Sequence, residues 1–371
     1  MNQQELTYWV TLSLMPKIWT KRKNELFVNC FNRNHNIIDL FENENLWNEL
    51  ILTQDELSLF KETKAQLSQN AFLVEDLLNQ GYEIIPIISK DYSLTLKINL
   101  KYNAPIVLFI KGNKQLLQEK SIAIVGSRKA EDSSLRFTDD VAKKCSKEFK
   151  VVVSGFAKGI DKQALDSTLA VKGQSIIVLP QGINTFSSGM KQYYRQINQG
   201  DVLILSTFHP RSPWSVKLAM ARNSIIYGLA KEIYVAQSDN KGGTWSGVLA
   251  GLSKGRTIYV RNPNVGEKNA NNLLIEKGAK PVDMNGNLII ESELTSLVSE
   301  PMTEGDNIEN RIIKLLKEGF YSTKEIISKL NLSITEAKLR SQLRKRDDIE
   351  EIKGRPIKFK INNAKNEPTL F

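Results

Sequence analysis

Two glycine-containing turns, each placed directly after an apolar run, are the part of the sequence best suited to chemistry. Residues 122–125 lead into Gly-Ser-Arg at 126–128, and residues 151–153 lead into Ser-Gly-Phe-Ala-Lys-Gly at 154–159. Glycine lets the backbone approach an anion closely, while arginine and lysine supply charge that suits phosphate. Gly-Ser-Arg alone is a common tripeptide, but the two turns together predict a phosphate-binding site.

A third turn of the same kind strengthens this prediction. The sequence Gly-Gly-Thr-Trp-Ser-Gly at 242–247 follows the apolar run at 233–236 and opens a predicted helix. Because ligands of open α/β sheets bind beyond the carboxyl ends of the strands, the three turns are expected to line one crevice. The positive ends of the following helices would attract an anion further. The residues that these turns contribute to the predicted site are Gly126, Ser127, Arg128, Ser154, Gly155, Lys158, Gly159, Gly243 and Thr244.

Basic and aromatic side chains are interleaved around the same segments. The basic residues suited to phosphates are Lys158, Lys191, Arg195, Arg211, Lys217 and Arg222, and the aromatic residues among them are Phe186, Tyr193, Tyr194, Trp214 and Trp245. This mixture suits single-stranded nucleic acid, whose unpaired bases are free to stack on aromatic rings. The alternative for each ring is ordinary packing in the core or at a subunit contact, which is the commoner role of such residues.

Catalytic and metal chemistry find little support in the sequence. Cys30, Cys145, His35 and His209 are the only cysteines and histidines, and none has zinc-ligand spacing. No nucleophile–base pair or pair of carboxylates stands out. Asp161 suits the N-cap of the helix that follows the second turn, with a ligand hydroxyl or a basic neighbour as its alternative partner. The sequence predicts a protein that binds without catalysis and carries neither metal nor cofactor.

The elements around the three turns predict an α/β protein. Apolar, β-branched runs at 175–179, 202–205, 232–236 and 257–260 alternate with amphipathic stretches. Nearly continuous apolar strands separated by helices are typical of a parallel sheet covered on both faces. The middle of the chain is therefore predicted to form a doubly wound, mostly parallel sheet.

The chain is predicted to contain four segments. These are a small helical domain over 1–69, the α/β domain over 70–298, a polar linker over 299–307 and a C-terminal domain over 308–371. Three short helices followed by a hairpin predict a winged helix for the last domain. Basic residues on its third helix suit double-stranded DNA, but acidic residues interrupt them, so duplex DNA and protein both stay open as its partner.

The charge of the chain favours an acidic partner. Its 371 residues carry a formal net charge of +10, and nucleic acid is the commonest partner of such a protein. A lysine-rich composition without functional meaning is the alternative. No basic region followed by an apolar run opens the chain, and no stretch has the apolar length of a membrane span. A soluble, cytoplasmic protein is expected.

Taken together, these segments resemble the DNA-processing protein A (DprA/Smf) family, whose Rossmann-like fold is shared with the LOG phosphoribohydrolases. The resemblance rests on the turns at 126–128 and 154–161, and on Arg-Asn-Ser-Ile-Ile-Tyr-Gly-Leu at 222–229. It extends to the Gly-Gly-Thr turn at 242–244 and to the lead-in at 104–112. The combined pattern covers nearly the whole chain and is specific, although each piece alone is weak.

The resemblance implies an extended Rossmann-like fold and a role in DNA recombination. Members of the family bind single-stranded DNA, usually as homodimers, and load the RecA recombinase onto it, in many bacteria during natural transformation. By resemblance, Arg128 and Lys158 contact backbone phosphates, while Arg222 and Asn223 line the same groove. The alternatives are a sensor that binds a small nucleotide and a LOG-like nucleotide phosphoribohydrolase.

The chain also departs from the family pattern. Ser224 replaces the second arginine of the family's Arg-Asn-Arg, and Thr207 and Gln237 stand where glutamates are usual. Arg261-Asn262 replaces a Pro-Gly pair at the end of a late strand. The missing glutamates argue against hydrolysis and leave phosphate binding unharmed.

Overall fold

A computed structural model describes residues 1–289, 308–330, 334–346, 348–352, 354 and 356–361. The chain divides into two compact units, Met1–Ile289 and Ile290–Phe371. The predicted linker at 299–307 and the last residues of the predicted α/β domain, 290–298, lie outside the described residues.

Six helices open the first unit. They are α1 (Gln3–Leu14), α2 (Thr20–Phe31), α3 (Asp39–Glu42), α4 (Glu44–Glu49), α5 (Gln54–Lys64) and α6 (Leu67–Asn79). Capping boxes begin α1 and α5: Asn2 and Thr53 each accept a hydrogen bond from a backbone N–H three residues later, and a glutamate there accepts one in return. Helix α1 packs against α6 and the first two strands, so the helices and the sheet belong to one compact unit.

A sheet of nine strands forms the centre of the first unit. The strands are β1 (Glu83–Pro86), β2 (Val107–Gly112), β3 (Ser121–Gly126), β4 (Val151–Ser154), β5 (Ser175–Val178), β6 (Val202–Ser206), β7 (Glu232–Gln237), β8 (Ile258–Arg261) and β9 (Lys280–Val282). Their spatial order is β1-β2-β6-β5-β4-β3-β7-β8-β9. Strands β1 and β2 are antiparallel to their neighbours, and all other pairs are parallel.

Both faces of the sheet are buried, which explains why its strands are continuously apolar. Along β3, Ile122 and Ile124 enter one apolar cluster, whereas Ala123 and Val125 enter the other. This alternation follows from the two-residue period of a strand. The prediction of a doubly wound, mostly parallel α/β sheet is confirmed.

Eight helices connect the strands of the sheet, and the direction in which successive strands are added reverses at its centre. They are α7 (Leu94–Leu100), α8 (Asp132–Lys147), α9 (Ile160–Ala170), α10 (Ser187–Gln192), α11 (Tyr194–Gln199), α12 (Val216–Leu229), α13 (Gly243–Leu252) and α14 (Asn271–Glu276). From β3 the chain moves through β4 and β5 to β6, and it then returns to β7 on the other side of β3. The adjacent ends of β3 and β7 therefore form the topological switch point, where open α/β sheets bind ligands.

Among its described residues, the second unit has three helices and a small sheet. The elements are α15 (Ile308–Glu318), α16 (Thr323–Leu330), α17 (Glu336–Leu343), β10 (Tyr321–Ser322), β11 (Ile349–Ile352) and β12 (Lys358–Ile361). The strands are antiparallel in the order β10-β12-β11, and Leu316, Ile326, Leu339 and Phe359 form the centre of a separate core. The winged-helix assignment of this unit stays a prediction.

Within the described part of the chain, no helix is long and apolar enough to cross a membrane.

Candidate nucleic-acid interface

A cavity of about 390 Å³ opens at the switch point. The end of β3, the β4–α9 loop, α12 and the first turn of α13 line it. The predicted site residues that line this cavity are Gly126, Ser127, Arg128, Arg222, Asn223, Gly243 and Thr244. Three turns that are distant in sequence therefore meet, because β4, β3 and β7 are neighbours in the sheet.

The β3 turn is held in place from β7. The Ser127 backbone N–H donates to the Gln237 carbonyl at 2.9 Å, and the Gln237 side-chain oxygen accepts from the Glu131 N–H at 2.9 Å. The Ser127 hydroxyl accepts from the Lys129 N–H at 3.1 Å and retains its own proton for a further partner. A side chain on Gly126 would meet Ile160 at 2.6 Å, so only glycine fits there.

The β4–α9 loop packs directly against the β3 turn. Gly159 has φ +79°, and a Cβ on it would lie 2.5 Å from the Ser127 carbonyl oxygen. The Ser154 hydroxyl is fully buried and donates to the Asp161 carbonyl at 2.8 Å. The predicted residues Ser154, Gly155 and Gly159 therefore shape the loop and do not line the cavity.

Asp161 and Arg222 form a buried ion pair beside the cavity. The Asp161 carboxylate lies 3.5 Å from Arg222 Nη1, and only 9% of Asp161 and 3% of Arg222 are exposed. Burial raises the pKa of Asp161, opposed by the Arg222 guanidinium and by the backbone amides of Ala157 and Gly155. The N-cap of α9 is Gly159, without a side-chain cap, so the N-cap prediction for Asp161 was wrong and its basic-neighbour alternative is correct.

Exposed cations surround the mouth of the cavity. Arg128, Lys129 and Lys241 line it, and Lys158 is exposed in the loop next to Ala157. Within the described residues these four side chains take part in no ion pair. Two of them, Lys129 and Lys241, were absent from the predicted site, although each flanks one of the predicted turns in sequence.

The five predicted aromatic residues separate into two groups: Phe186, Tyr193 and Trp245 pack against the core, whereas Tyr194 and Trp214 are exposed. The rings of Phe186 and Tyr193 are buried and pack edge-on against Phe156, at centroid distances of 5.1 and 5.7 Å. For these two, the packing alternative is therefore correct. Tyr194 and Trp214 are 68% and 50% exposed and present free ring surface.

The start of α12 adds an apolar wall that was not predicted. Val216 and Met220 line the cavity and are exposed, and the Tyr227 ring lies deeper, with a buried hydroxyl that has no hydrogen-bond partner among the described residues. A side chain on Gly243 would lie 2.8 Å from Asn223 Nδ2, so this glycine allows α13 to approach α12 closely. Helical spacing alone could not have told this wall from a core face.

The fold and the site define a Rossmann-like protein with a cationic crevice at its switch point. A family model described as DNA recombination-mediator protein A matches residues 83–293. The chain belongs to this family, and the DprA/Smf resemblance is confirmed.

Several characterised proteins are similar to this chain. The DNA processing protein DprA of Streptococcus pneumoniae is 30% identical over 194 residues, which are 52% of this chain and 68% of that protein. The Bacillus subtilis DprA is 29% identical over 206 residues, or 55% and 69% of the two chains. The X-ray structure of the Streptococcus pneumoniae DprA aligns with a TM-score of 0.62 at 23% identity, covering 76% of this chain and 95% of that one.

Proposed function

We propose that this chain binds single-stranded DNA in the crevice at the switch point and acts in DNA processing and recombination. The observation that carries the proposal is a set of exposed cations at the strand ends: Arg128, Lys129 and Lys241 line the cavity, and Lys158 is exposed in the adjacent β4–α9 loop. Helices α9 and α13 both begin at this crevice, so their positive ends add to the attraction for phosphate. The relatives of the chain are named as DNA processing proteins.

Exposed aromatic and apolar side chains favour a single strand over a duplex. Val216 and Met220 line the cavity together with Arg128, Lys129 and Lys241, and Trp214 is exposed in the segment that leads into α12. Bases can stack on such surfaces only when they are unpaired, at about 1–3 kcal/mol per base. Because stacking and phosphate contacts do not depend on base identity, we expect binding with little sequence preference and a steep salt dependence.

The two alternative functions receive less support from the site. A LOG-like hydrolase would need an acidic residue beside an arginine. Asp161 is buried and already paired with Arg222, and the Gln237 side chain holds the β3 turn, so the exposed Asp239 is the one accessible carboxylate among the residues that line the cavity. Incubation with nucleoside monophosphates would release free base if this activity were present. A nucleotide sensor would use the same cavity, but it would not require the exposed surface of Trp214.

Partners and location follow from the same proposal. If the chain acts in recombination, we expect it to form a homodimer, to have a RecA-type recombinase as its protein partner and to act in the cytoplasm. Light scattering in solution tests the dimer, and recombinase loading onto coated single strands tests the partner. In the second unit, the Arg344–Glu351, Arg346–Asp348 and Lys360–Glu350 ion pairs neutralise part of the basic surface, which favours protein over duplex DNA as its partner.

The experiment that tests the crevice removes two of its exposed cations. We expect the double substitution Arg128→Ala and Lys158→Ala to weaken binding to a fluorescent oligo-dT by about tenfold or more, since removing a cation from one phosphate costs roughly 1 kcal/mol. Fluorescence anisotropy at several salt concentrations measures this. The slope of log affinity against log salt is expected to fall by about 0.7 for each phosphate that the variant no longer neutralises.

The matched control uses the amino-terminal ends of the same central strands, on the opposite side of the sheet from the crevice. Lys120 and Lys231 directly precede β3 and β7, are exposed and form no ion pair within the described residues. Replacing both with alanine removes the same net charge far from the crevice. Equal loss of affinity in the two double variants would show that total charge, and not this crevice, binds the strand.

A further inference from the structure

Arg222 occupies a position at odds with the role that the sequence predicted for it. We infer that Arg222 is a positioning residue: it does not bind DNA itself but holds the β4–α9 loop and, through it, the β3 turn that carries Arg128. This inference rests on the proposed binding of single-stranded DNA in the crevice, and it assigns one residue of that site a role other than phosphate contact.

Burial leaves little of the Arg222 guanidinium accessible to an incoming phosphate, although the residue lines the cavity. Only 3% of the residue is exposed, and Nε and Nη1 have no accessible surface and no hydrogen-bond partner among the described residues. The charge already faces the Asp161 carboxylate at 3.5 Å. Turning toward a phosphate would leave that carboxylate buried without its counter-charge, which is strongly unfavourable.

The guanidinium also fills the space that Gly155 leaves open. A Cβ built on Gly155 would lie 1.1 Å from Arg222 Nη1 and 2.2 Å from Cζ. The flat group therefore lies directly on the backbone at the end of β4. Arg222 belongs to the middle of α12, so this contact fastens α12 to the beginning of the loop.

A continuous set of contacts leads from this pair to the exposed cations. Asp161 lies in the first turn of α9, and the backbone amides of Ala157 and Gly155 are close enough to its carboxylate to lower its pKa, so the carboxylate faces the loop that presents Lys158. At the other end of the loop, Gly159 packs against the backbone of Ser127 and Arg128.

The charges of the cavity agree with this division of roles. Asp161 compensates Arg222, so the pair contributes little net attraction for an anion. Burial lowers the pKa of Arg222 against the opposing effect of the Asp161 carboxylate, and the charge of the nearby Arg128 lowers it further. Attraction for phosphate thus comes from the exposed cations, whose positions depend on the loops that Arg222 holds.

A double-mutant cycle tests the inference on the full chain. The four proteins are the unchanged chain, Arg222→Met, the Arg128→Ala/Lys158→Ala variant and the triple variant, each checked for folding by thermal melting and titrated with oligo-dT. We expect Arg222→Met to weaken binding about tenfold in the unchanged chain, and by less than about twofold once the two cations are gone, because coupled residues are not additive.

The outcomes separate three roles for Arg222. The same loss of affinity in both backgrounds means that Arg222 contacts phosphate independently, and it overturns the inference. Full affinity in folded Arg222→Met reduces its role to packing and overturns it too. If the Arg128→Ala/Lys158→Ala variant binds as well as the unchanged chain, the crevice proposal itself fails, and the inference falls with it.

A second variant guards against loss of folding in Arg222→Met. Arg222→Lys keeps the charge and most of the length but lacks the planar group that lies on Gly155 and faces Asp161. A positioning role predicts that this variant also loses most of the affinity. A folded Arg222→Lys protein with unchanged affinity would instead identify a simple cationic contact.

Discussion

At the scale of single residues, the most completely buried charge in the α/β unit is Arg261, at the end of β8. Its side chain is inaccessible to solvent and donates to the Ala236 carbonyl and the Ser134 hydroxyl, each at 3.0 Å, and to both oxygens of Glu267. Glu267 also accepts from Ser133 at 2.8 Å. This cluster joins β7, β8 and the first turn of α8, next to the crevice.

Glu267 should make the free energy of unfolding fall as the pH becomes acidic. Burial alone would raise its pKa, but hydrogen bonds from Arg261 and Ser133 outweigh this and lower the pKa from 4.5 to about 2. A carboxylate with a lowered pKa stabilises the fold above its unfolded value, and this stabilisation is lost as pH falls from about 4.5 to about 2. Glu267→Gln should remove that pH dependence and cost about 3 kcal/mol at pH 7, since Arg261 keeps its charge without a partner.

Urea unfolding of the full chain at several pH values measures this effect. The exposed Glu276→Gln variant, in α14, is the matched control and should leave the pH profile of the free energy of unfolding unchanged. An unchanged profile in Glu267→Gln would mean that the Arg261 cluster does not stabilise the fold.

The residue types of the sequence predicted that the crevice is cationic, but they did not predict which residues are exposed to a ligand and which are buried. Arg128 and Lys158 are exposed beside the cavity, as phosphate contacts require, whereas Arg222 and Ser154 are buried. Nothing local in the sequence separates these cases, because burial depends on which distant element covers a side chain. The Arg222–Asp161 pair joins residues 61 positions apart, and a single sequence does not show that contact.

At the scale of elements, two glycines with positive φ allow a direct comparison. Gly159 and Gly255 have φ +79° and +68°, so alanine carries a backbone cost at both sites, and the ψ of −128° makes this cost larger at Gly159, within about 1–3 kcal/mol. A Cβ on Gly255 meets nothing within 4 Å, but one on Gly159 lies 2.5 Å from the Ser127 carbonyl oxygen. Gly159→Ala should therefore move the β3 turn away from the β4–α9 loop.

We expect Gly159→Ala to lower the free energy of unfolding by about 2–3 kcal/mol and to weaken oligo-dT binding about tenfold, because steric strain adds to the backbone cost. Gly255→Ala should cost about 1 kcal/mol and leave binding unchanged. Urea unfolding and anisotropy titrations measure both quantities. Similar effects in the two variants would show that the contact between the loops is unimportant.

The prediction from sequence was strongest where a local pattern determines an element. Apolar runs located the parallel strands, and the rule that ligands bind at strand ends correctly brought the turns at 126–128, 154–159 and 242–247 to one edge. The rings of Phe186 and Tyr193 could not be assigned in this way. Both rings pack against Phe156, whose φ of +61° has no signal in the sequence.

At the scale of the whole molecule, the predicted domains and the compact units divide the chain differently. The sequence suggested a helical domain ending at residue 69, whereas α6 runs across that position from Leu67 to Asn79 and leads into β1. Composition changes near residue 70, but the helices share one continuous apolar cluster with the sheet. A change in pattern marks a change of element type, and only packing reveals whether it also marks a domain boundary.

The two units have separate cores, so removal of the second should leave the first intact. A chain that ends after Thr303 retains all of Met1–Ile289, including every residue of the crevice. We expect it to melt cooperatively and to bind oligo-dT within about threefold of the full chain, because the exposed cations are unchanged.

Any affinity of the full chain for a duplex of the same length should also persist, since ion pairs already neutralise part of the basic surface of the second unit. Loss of duplex binding alone would assign duplex DNA to the second unit, whereas loss of oligo-dT binding from a folded truncated chain would show that the crevice needs that unit to hold a strand.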